Sequence, residues 1–380
     1  DPMLDAIEIF NSNQDIKENY LGLKAWHKYK FTAIGGTDTH ENMVAGSYPT
    51  LFDHPVSSME ELVGEIKGAR CRPFFKEIPK AGSNIVVTEI TLGTKGQDET
   101  RSRIILKDIS DRKKWKNAKK NAGITEKLYK RGFGSGKFRV PRILDMNDPE
   151  MTLMEEGQRG KKLFDLMLRV DPSVAKEYLS LAAKWLARMH KERIEISSVE
   201  ETIRRERKRF ESYRKAFMDS RSPYAEKAVR LIDHVSSREE DMFAGEKDLF
   251  VQNHGDFHPK NIIIGQDRMH DISTLFVSVI DFNNSIFFDR AFDIGYFLSQ
   301  FRSQFSGYPD IIKNYTEADF IENYIEEAGM VDKELLLERV RVFKIRANLS
   351  IASFLIKVGK GESRDMDEIM KRSLKDHKTT

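Results

Sequence analysis

A single cysteine, Cys71, stands among 380 residues, so no disulfide can form within the chain, which fits a reducing compartment. No apolar run approaches the roughly 18 residues that a membrane crossing needs, and no basic-then-apolar leader opens the sequence. The expected location is the cytoplasm, with no membrane partner. Charge of one sign is also missing. Lys and Arg number 63 against 60 acidic residues, a net of +3, so no domain-wide basic surface invites nucleic acid. The densest basic stretch, Arg204 to Arg209, is followed at helical spacing by Phe210, Tyr213 and Phe217 and reads as the solvated face of an amphipathic helix. No His-x-His pair, internal repeat or low-complexity linker occurs. What remains is a chain 39% hydrophobic and 32% charged, long enough for two or three compact units with a core.

Three stretches differ in pattern, followed by a polar tail. Residues 1–75 alternate strand and helix: Ile7 to Asn11 extended, a helix over 18–30 with Leu21, Leu23 and Trp26, a strand at Phe31 to Ile34, and a helix over 58–68 capped by Ser57 or Ser58. Residues 76–157 are rich in strands, with one helix predicted over 111–130 and a final strand, Met151 to Met154, running into Glu155-Glu156-Gly157. Residues 158–365 are mostly helical, with Leu179, Ala182, Ala183, Leu186 and His190 on one face and Leu336, Val340, Phe343, Ala347, Phe354 and Val358 on another. Residues 366–380 read as a polar tail, frayed from Lys371.

The run His254-Gly255-Asp256-Phe257-His258-Pro259-Lys260-Asn261 ends in an Ile-rich strand, and Asp281 follows 25 positions after Asp256 at the end of a second strand. Asp256, in a loop beside a glycine, is the candidate catalytic base. Asn261 and Asp281 supply the oxygen donors that magnesium prefers. Phosphoryl transfer from ATP to an alcohol needs this set plus a cation for the phosphates and a lid. Lys107, closing the strand Arg103 to Leu106, is the candidate cation, paired with Glu126 on the next helix or left as a surface lysine. Gly82-Ser83-Asn84 offers amides to the phosphates or is only a turn. Gly132 to Phe138 imitates a P-loop, but Arg131 and Phe138 replace the required glycine and hydroxyl, and the stretch follows a helix. A zinc reading of His254 and His258 fails because Gly255 and Pro259 oppose the helix that would align them; both brace the loop instead. Asp293 is expected to accept loop hydrogen bonds at a helix start.

These residues carry a resemblance. The 254–261 run, Ile280-Asp281-Phe282, Phe292-Asp293-Ile294-Gly295 and the Leu181 to His190 helix end look like the aminoglycoside phosphotransferase and choline kinase group, relatives of protein kinases, over about 78–360. The resemblance implies an α+β, bilobal protein-kinase-like fold, ATP and Mg2+ as cofactors, a small-molecule hydroxyl acceptor, and Met154, Glu155 and Gly157 at the adenine hinge. It also assigns Lys107 with Glu126 to the nucleotide, Asp256 to the base and Asn261 with Asp281 to magnesium. Asn283 stands where protein kinases have glycine, so no activation-loop switch is expected. The first 75 residues resemble the C-terminal end of PHP-type metal-dependent phosphoesterases through Gly36-Thr37-Asp38-Thr39-His40, which implies Asp38 and His40 as residual metal ligands. Without a His-x-His strand those two cannot organise a hydrolytic centre. A protein-substrate kinase, a nucleotide-binding pseudokinase, or a PHP phosphoesterase completed by a longer chain are the alternatives. The acceptor and the oligomeric state are not set by the sequence.

Overall fold

In a computed structural model the residues described are 4–40, 45–80, 86–93, 102–220, 222–245, 247–268, 271–329 and 331–378. They form two compact units: 1–119 with 141–159 and 265–275, and 120–140 with 160–264 and 276–380.

The first unit opens with β1 (Ile7–Asn11), α1 (Ile16–Tyr29) and β2 (Ala33–Gly36), the two strands parallel and the helix crossing between them. Asp15 starts α1 through a reciprocal cap: its carboxylate accepts from the Lys17 and Glu18 amides, while the Glu18 side chain accepts from the Asp15 amide. The strand β3 (Thr50–Phe52), helix α2 (Met59–Lys67) and strand β4 (Cys71–Pro73) follow, with the same reciprocal cap between Ser58 and Glu61. Then come β5 (Phe75–Lys80), β6 (Val86–Leu92) and β7 (Ser102–Asp108). Helix α3 (Arg112–Leu128) carries the chain into the second unit, where β8 (Phe138–Arg139) lies. It returns with β9 (Ile143–Asn147) and β10 (Thr152–Glu156). Strands β5, β6, β7, β10 and β9, in that order, make one antiparallel sheet.

The first 75 residues share a core with this sheet. Ile9, Phe10, Tyr20, Leu23, Ala33 and Tyr48 pack with Ile90, Leu92, Ile104 and Leu144. Polar ties add direction: the Tyr20 hydroxyl donates to Asp145 at 2.8 Å, and Arg142 pairs with Asp15 at 2.7 Å. Burial of this apolar set is the dominant attraction holding the segment in place.

The second unit continues with β11 (Lys161–Lys162), α4 (Leu163–Met167), α5 (Pro172–Lys191), α6 (Val199–Asp219) and α7 (Ala225–Gly245). Four strands succeed them: β12 (Phe250–Asn253), β13 (Ile262–Gln266), β14 (Leu275–Val279) and β15 (Ile286–Asp289). Helices α8 (Ala291–Gln304), α9 (Pro309–Asn314), α10 (Glu317–Ala328), α11 (Lys333–Lys357) and α12 (Arg364–His377) complete it. The pair β12–β15 is antiparallel, and a separate four-stranded sheet has the order β11-β13-β14-β8. The centre is unusually aromatic: Trp185 stacks on Phe257, and Phe288 meets Phe243, Phe292 and Phe343.

Three expectations need correction. Residues 364–377 are a helix, not a frayed polar tail, because Met366, Ile369 and Met370 are buried on one face and Ser363 caps the start. The basic run on α6 is not wholly solvated: Glu206 is buried with Arg346, and Arg205 donates to the Ser285 and Asn284 carbonyls at 2.7 and 3.1 Å. Burial, reinforced by Arg209, brings the Arg205 guanidinium down to about 10, so it remains a cation at neutral pH. Phe354 is exposed between the buried Ser353 and Leu355 because it faces outward from α11, and Val358, just past the helix end, is exposed beyond its last buried residue, Leu355.

Candidate active site

The sequence from β12 to β13 builds a loop that the backbone alone would not hold. Asn253, at the end of β12, donates its side-chain amide to the Phe288 carbonyl at 2.9 Å across the β12–β15 pair. His254 and Gly255 then turn their amides into one carboxylate. Asp293 accepts from the His254 amide at 2.6 Å and from the Gly255 amide at 2.8 Å, and is itself buried at the start of α8. His190, at the end of α5, reaches the same carboxylate at 3.4 Å through Nε2, and its Nδ1 lies 2.8 Å from the Tyr324 hydroxyl. Burial holds the His190 imidazole below its ordinary value despite Asp293, so the ring is neutral: Nε2–H donates to Asp293 and Nδ1 accepts from Tyr324.

His254 ties this loop to the next one. Its Nε2 donates to the Ile280 carbonyl at 3.0 Å, and its Nδ1 accepts the Asp256 amide at 3.2 Å. One ring therefore connects the backbone of Asp256 to the residue before Asp281. A second stitch runs parallel to it, from the Ile280 amide to the Asn261 carbonyl at 3.0 Å. The Asn261 side-chain amide donates to the Asp256 carbonyl at 3.0 Å, which leaves its side-chain oxygen as the atom able to meet a cation. Asp281 itself is left-handed, with φ 69° and ψ 68°, a conformation that costs a non-glycine residue energy and recurs where a carboxylate must be aimed.

The Asp256 carboxylate has two neighbours on one oxygen. The Tyr296 hydroxyl donates to Oδ1 at 2.6 Å, and His258 Nε2 lies 3.6 Å from the same atom. Burial lowers the His258 imidazole, opposed by Asp256 and helped by His254, with Asp281 also within electrostatic reach. That set of influences gathers Asp256, Asp281 and His254 around one ring. Asn261 and Asp281 present hard oxygen donors, so their chemistry suits magnesium, which takes one or two carboxylates and fills its remaining positions from phosphate and water.

The other expected residues fall in both units. In the first unit, Lys107 on β7 forms an ion pair at 2.6 Å with Glu155 on β10, its diagonal cross-strand neighbour. Met154 is on the same strand, and Gly157 follows it, donating to the Arg103 carbonyl at 2.7 Å. Glu126 lies on α3 in the second unit, half-buried. Gly82, Ser83 and Asn84 fall outside the described residues. Asp38 has φ 45° and accepts from Asn13 at 2.9 Å, while His40 Nδ1 lies 3.0 Å from the Asp38 carbonyl. Among the described residues no group of three or more His, Cys, Asp or Glu could hold a metal ion. Gly132 to Lys137 connects the helical turn after α3 to β8, with no strand before it. Tyr296 was not anticipated. Its place one turn after Asp293, on the helix that anchors the loop, was the available signal.

A family model described as the phosphotransferase enzyme family, APH, matches residues 94–333, well over half of the chain. The chain belongs to that family and is a phosphotransferase. Residues 1–75 lie before the match. Choline kinase from Cryptosporidium parvum Iowa II is a structural neighbour at TM-score 0.54 and 15% identity, covering 80% of this chain and 89% of that one. An amicoumacin kinase solved with AMP-PNP, Ca2+ and amicoumacin reaches 0.52 at 13% identity, over 80% and 88% of the two chains. Ethanolamine kinase from Plasmodium vivax is similar at 0.48 and 16%, over 80% and 82%. At these identities the likeness concerns the fold, which is the protein-kinase-like α+β fold. No curated protein matches the sequence. Among the described residues no helix is long and apolar enough to cross a membrane.

Proposed function

We propose that this protein transfers the γ-phosphoryl group of ATP to a hydroxyl of a small molecule, with Asp256 as the base and Asn261 and Asp281 as the magnesium ligands. The observation that carries the reading is the double stitch through His254 and Asn261, which binds the Asp256 loop to the residue preceding Asp281. Such a device makes two acidic loops one rigid body, which is what a reaction run by positioning requires. In this reading Asp256 accepts the acceptor hydroxyl proton through Oδ2, since Oδ1 already receives Tyr296. The bound magnesium would neutralise charge on the phosphates. Lys107 is the candidate cation for the nucleotide phosphates, ion-paired with Glu155 where Glu126 was expected, and Met154, Glu155 and Gly157 are the candidates for the adenine hinge.

The neighbours with the better overlap support the nucleotide and the acceptor class: one is a choline kinase, the other an amicoumacin kinase that holds AMP-PNP and Ca2+. Membership of the phosphotransferase family supports the reaction.

The test is ADP release from Mg-ATP across a panel of amino alcohols, sugars and aminoglycosides. Asp256→Asn should lower turnover by about 10²–10⁴-fold with nucleotide affinity retained, and Asp281→Asn should weaken Mg-ATP binding. Full turnover in the first variant would remove Asp256 from the mechanism.

A further inference from the structure

The helix that anchors the catalytic loop also carries a line of hydrogen bonds aimed at Asp256. Tyr296, Gln300 and Gln304 occupy one stripe of α8, four residues apart. The Gln304 amide donates to the Gln300 side-chain oxygen at 3.3 Å, the Gln300 amide donates to the Tyr296 hydroxyl oxygen at 3.2 Å, and the Tyr296 hydroxyl donates to Asp256 Oδ1 at 2.6 Å. Every bond in the line points the same way. An amide NH₂ can only donate, so the Gln300 contact occupies a lone pair of the phenol oxygen and commits its hydrogen to the carboxylate.

We infer that Tyr296 is a positioning residue for phosphoryl transfer, which fixes the rotation of the Asp256 carboxylate and reserves Oδ2 for the acceptor hydroxyl, with Gln300 and Gln304 fixing Tyr296 in turn. The inference rests on the proposed role of Asp256 as base. Three further features bear on it. The phenol keeps its proton, because burial, and then the charge of Asp256, push its ionisation far above the ordinary tyrosine value. It is therefore a donor throughout the working pH range, never a competing base. Arg346 and Tyr213 are the other groups that act on it electrostatically, from α11 and α6. Among the described residues no hydrogen-bond partner meets Asp256 Oδ2, so the two oxygens are already unequal before any substrate arrives.

A hydrogen bond given to an ionised carboxylate favours the ionised form, and a charge-assisted bond is stronger than a neutral one. Tyr296→Phe removes that bond and keeps the ring. The kcat for ADP formation should then fall about tenfold or more, the worth of a hydrogen bond to a charged group. Gln300→Ala should lower kcat by less. The KM for Mg-ATP should stay as in the unmodified protein, because the loss is confined to the freed rotation of the carboxylate.

A second readout needs no turnover. In protein containing 3-fluorotyrosine, the fluorine resonance lost in Tyr296→Phe is that of residue 296, and Asp256→Asn should shift it, since the phenol loses its charged acceptor. A kcat that stays in place in Tyr296→Phe, or a resonance indifferent to Asp256→Asn, overturns the inference. If instead the resonance responds while Asp256→Asn keeps full turnover, the hydrogen bond exists and the assignment of the base is what fails.

Discussion

Gly255 is the residue where sequence, backbone and chemistry meet most tightly, and replacing it by alanine tests the whole arrangement. Its φ is +82°, in the left-handed region, and a Cβ built there would sit 2.0 Å from the Asn284 carbonyl oxygen and 2.5 Å from its carbon. Both obstacles are main chain in the loop just after Asp281, and that loop is pinned from behind by Arg205. Left-handed backbone costs a residue with a Cβ about 1–2 kcal/mol, and overpacking against an unyielding wall adds about 1–3 kcal/mol. Gly255→Ala should therefore lose about 2–5 kcal/mol. Relief can come only by separating the Asp256 loop from the Asp281 loop, so activity should fall further than the unfolded fraction explains. Urea denaturation measures the first quantity, and ADP formation per folded molecule the second. Gly245, whose Cβ would meet nothing within 4 Å, is the control and should change neither. A Gly255→Ala protein within about 0.5 kcal/mol of the parent, the ordinary range for surface substitutions, and fully active would refute the argument that close approach of these two loops builds the site.

Two other predictions concern the buried charges behind the site. Arg346 on α11 grips Glu206 on α6 with bonds of 2.8 to 2.9 Å, both side chains 2% exposed. Arg346→Met should cost about 3–5 kcal/mol by urea denaturation, because it strands a buried carboxylate; a loss below about 1 kcal/mol would mean that Arg209, 3.0 Å from Glu206, suffices alone. Glu239 lies buried beside that pair, with neither carboxylate oxygen hydrogen-bonded, and burial followed by the Glu206 charge raises it well above its ordinary value. The folded protein then keeps a proton that the unfolded chain gives up near pH ~4.3, so this group's contribution falls as pH rises from there to the folded value. Glu239→Gln should match the parent near pH 4, exceed its stability at neutral pH, and flatten the slope between them; unchanged pH dependence would show that Glu239 is ionised in the fold.

Local rules made much of the fold readable. The strand Ile7 to Asn11 and the helix opened by Ser58 appear with the expected limits, because alternation and capping are properties of neighbouring residues. The final helix escaped notice for the same reason in reverse. Its buried Met366, Ile369 and Met370 follow helical spacing, but with Leu374 they are only four apolar residues in a stretch otherwise polar, and what makes them a face is their packing on α11 and α7. Arg205 and Glu206 were hidden within a run of charged residues; their inward contacts are to Ser285 and Arg346, 80 and 140 positions away.

The site divides along the same line. Asp256, Asn261 and Asp281 stand out as candidates because an acid beside glycine at the mouth of an apolar strand has few other uses, and helix sterics oppose a zinc pair, which leaves His254 a bracing role. What no spacing rule supplies is which oxygen of Asp256 faces a partner. That is decided by Tyr296, 40 positions on, and by the choice of Gln300 one turn further, which turns the phenol into an obligate donor. A serine or lysine at position 300 would have left the same helix, the same core and the same tyrosine in place. The serine hydroxyl could accept the phenol hydrogen, and the lysine would bring a charge to the oxygen, so the direction of the line toward the carboxylate would no longer be guaranteed.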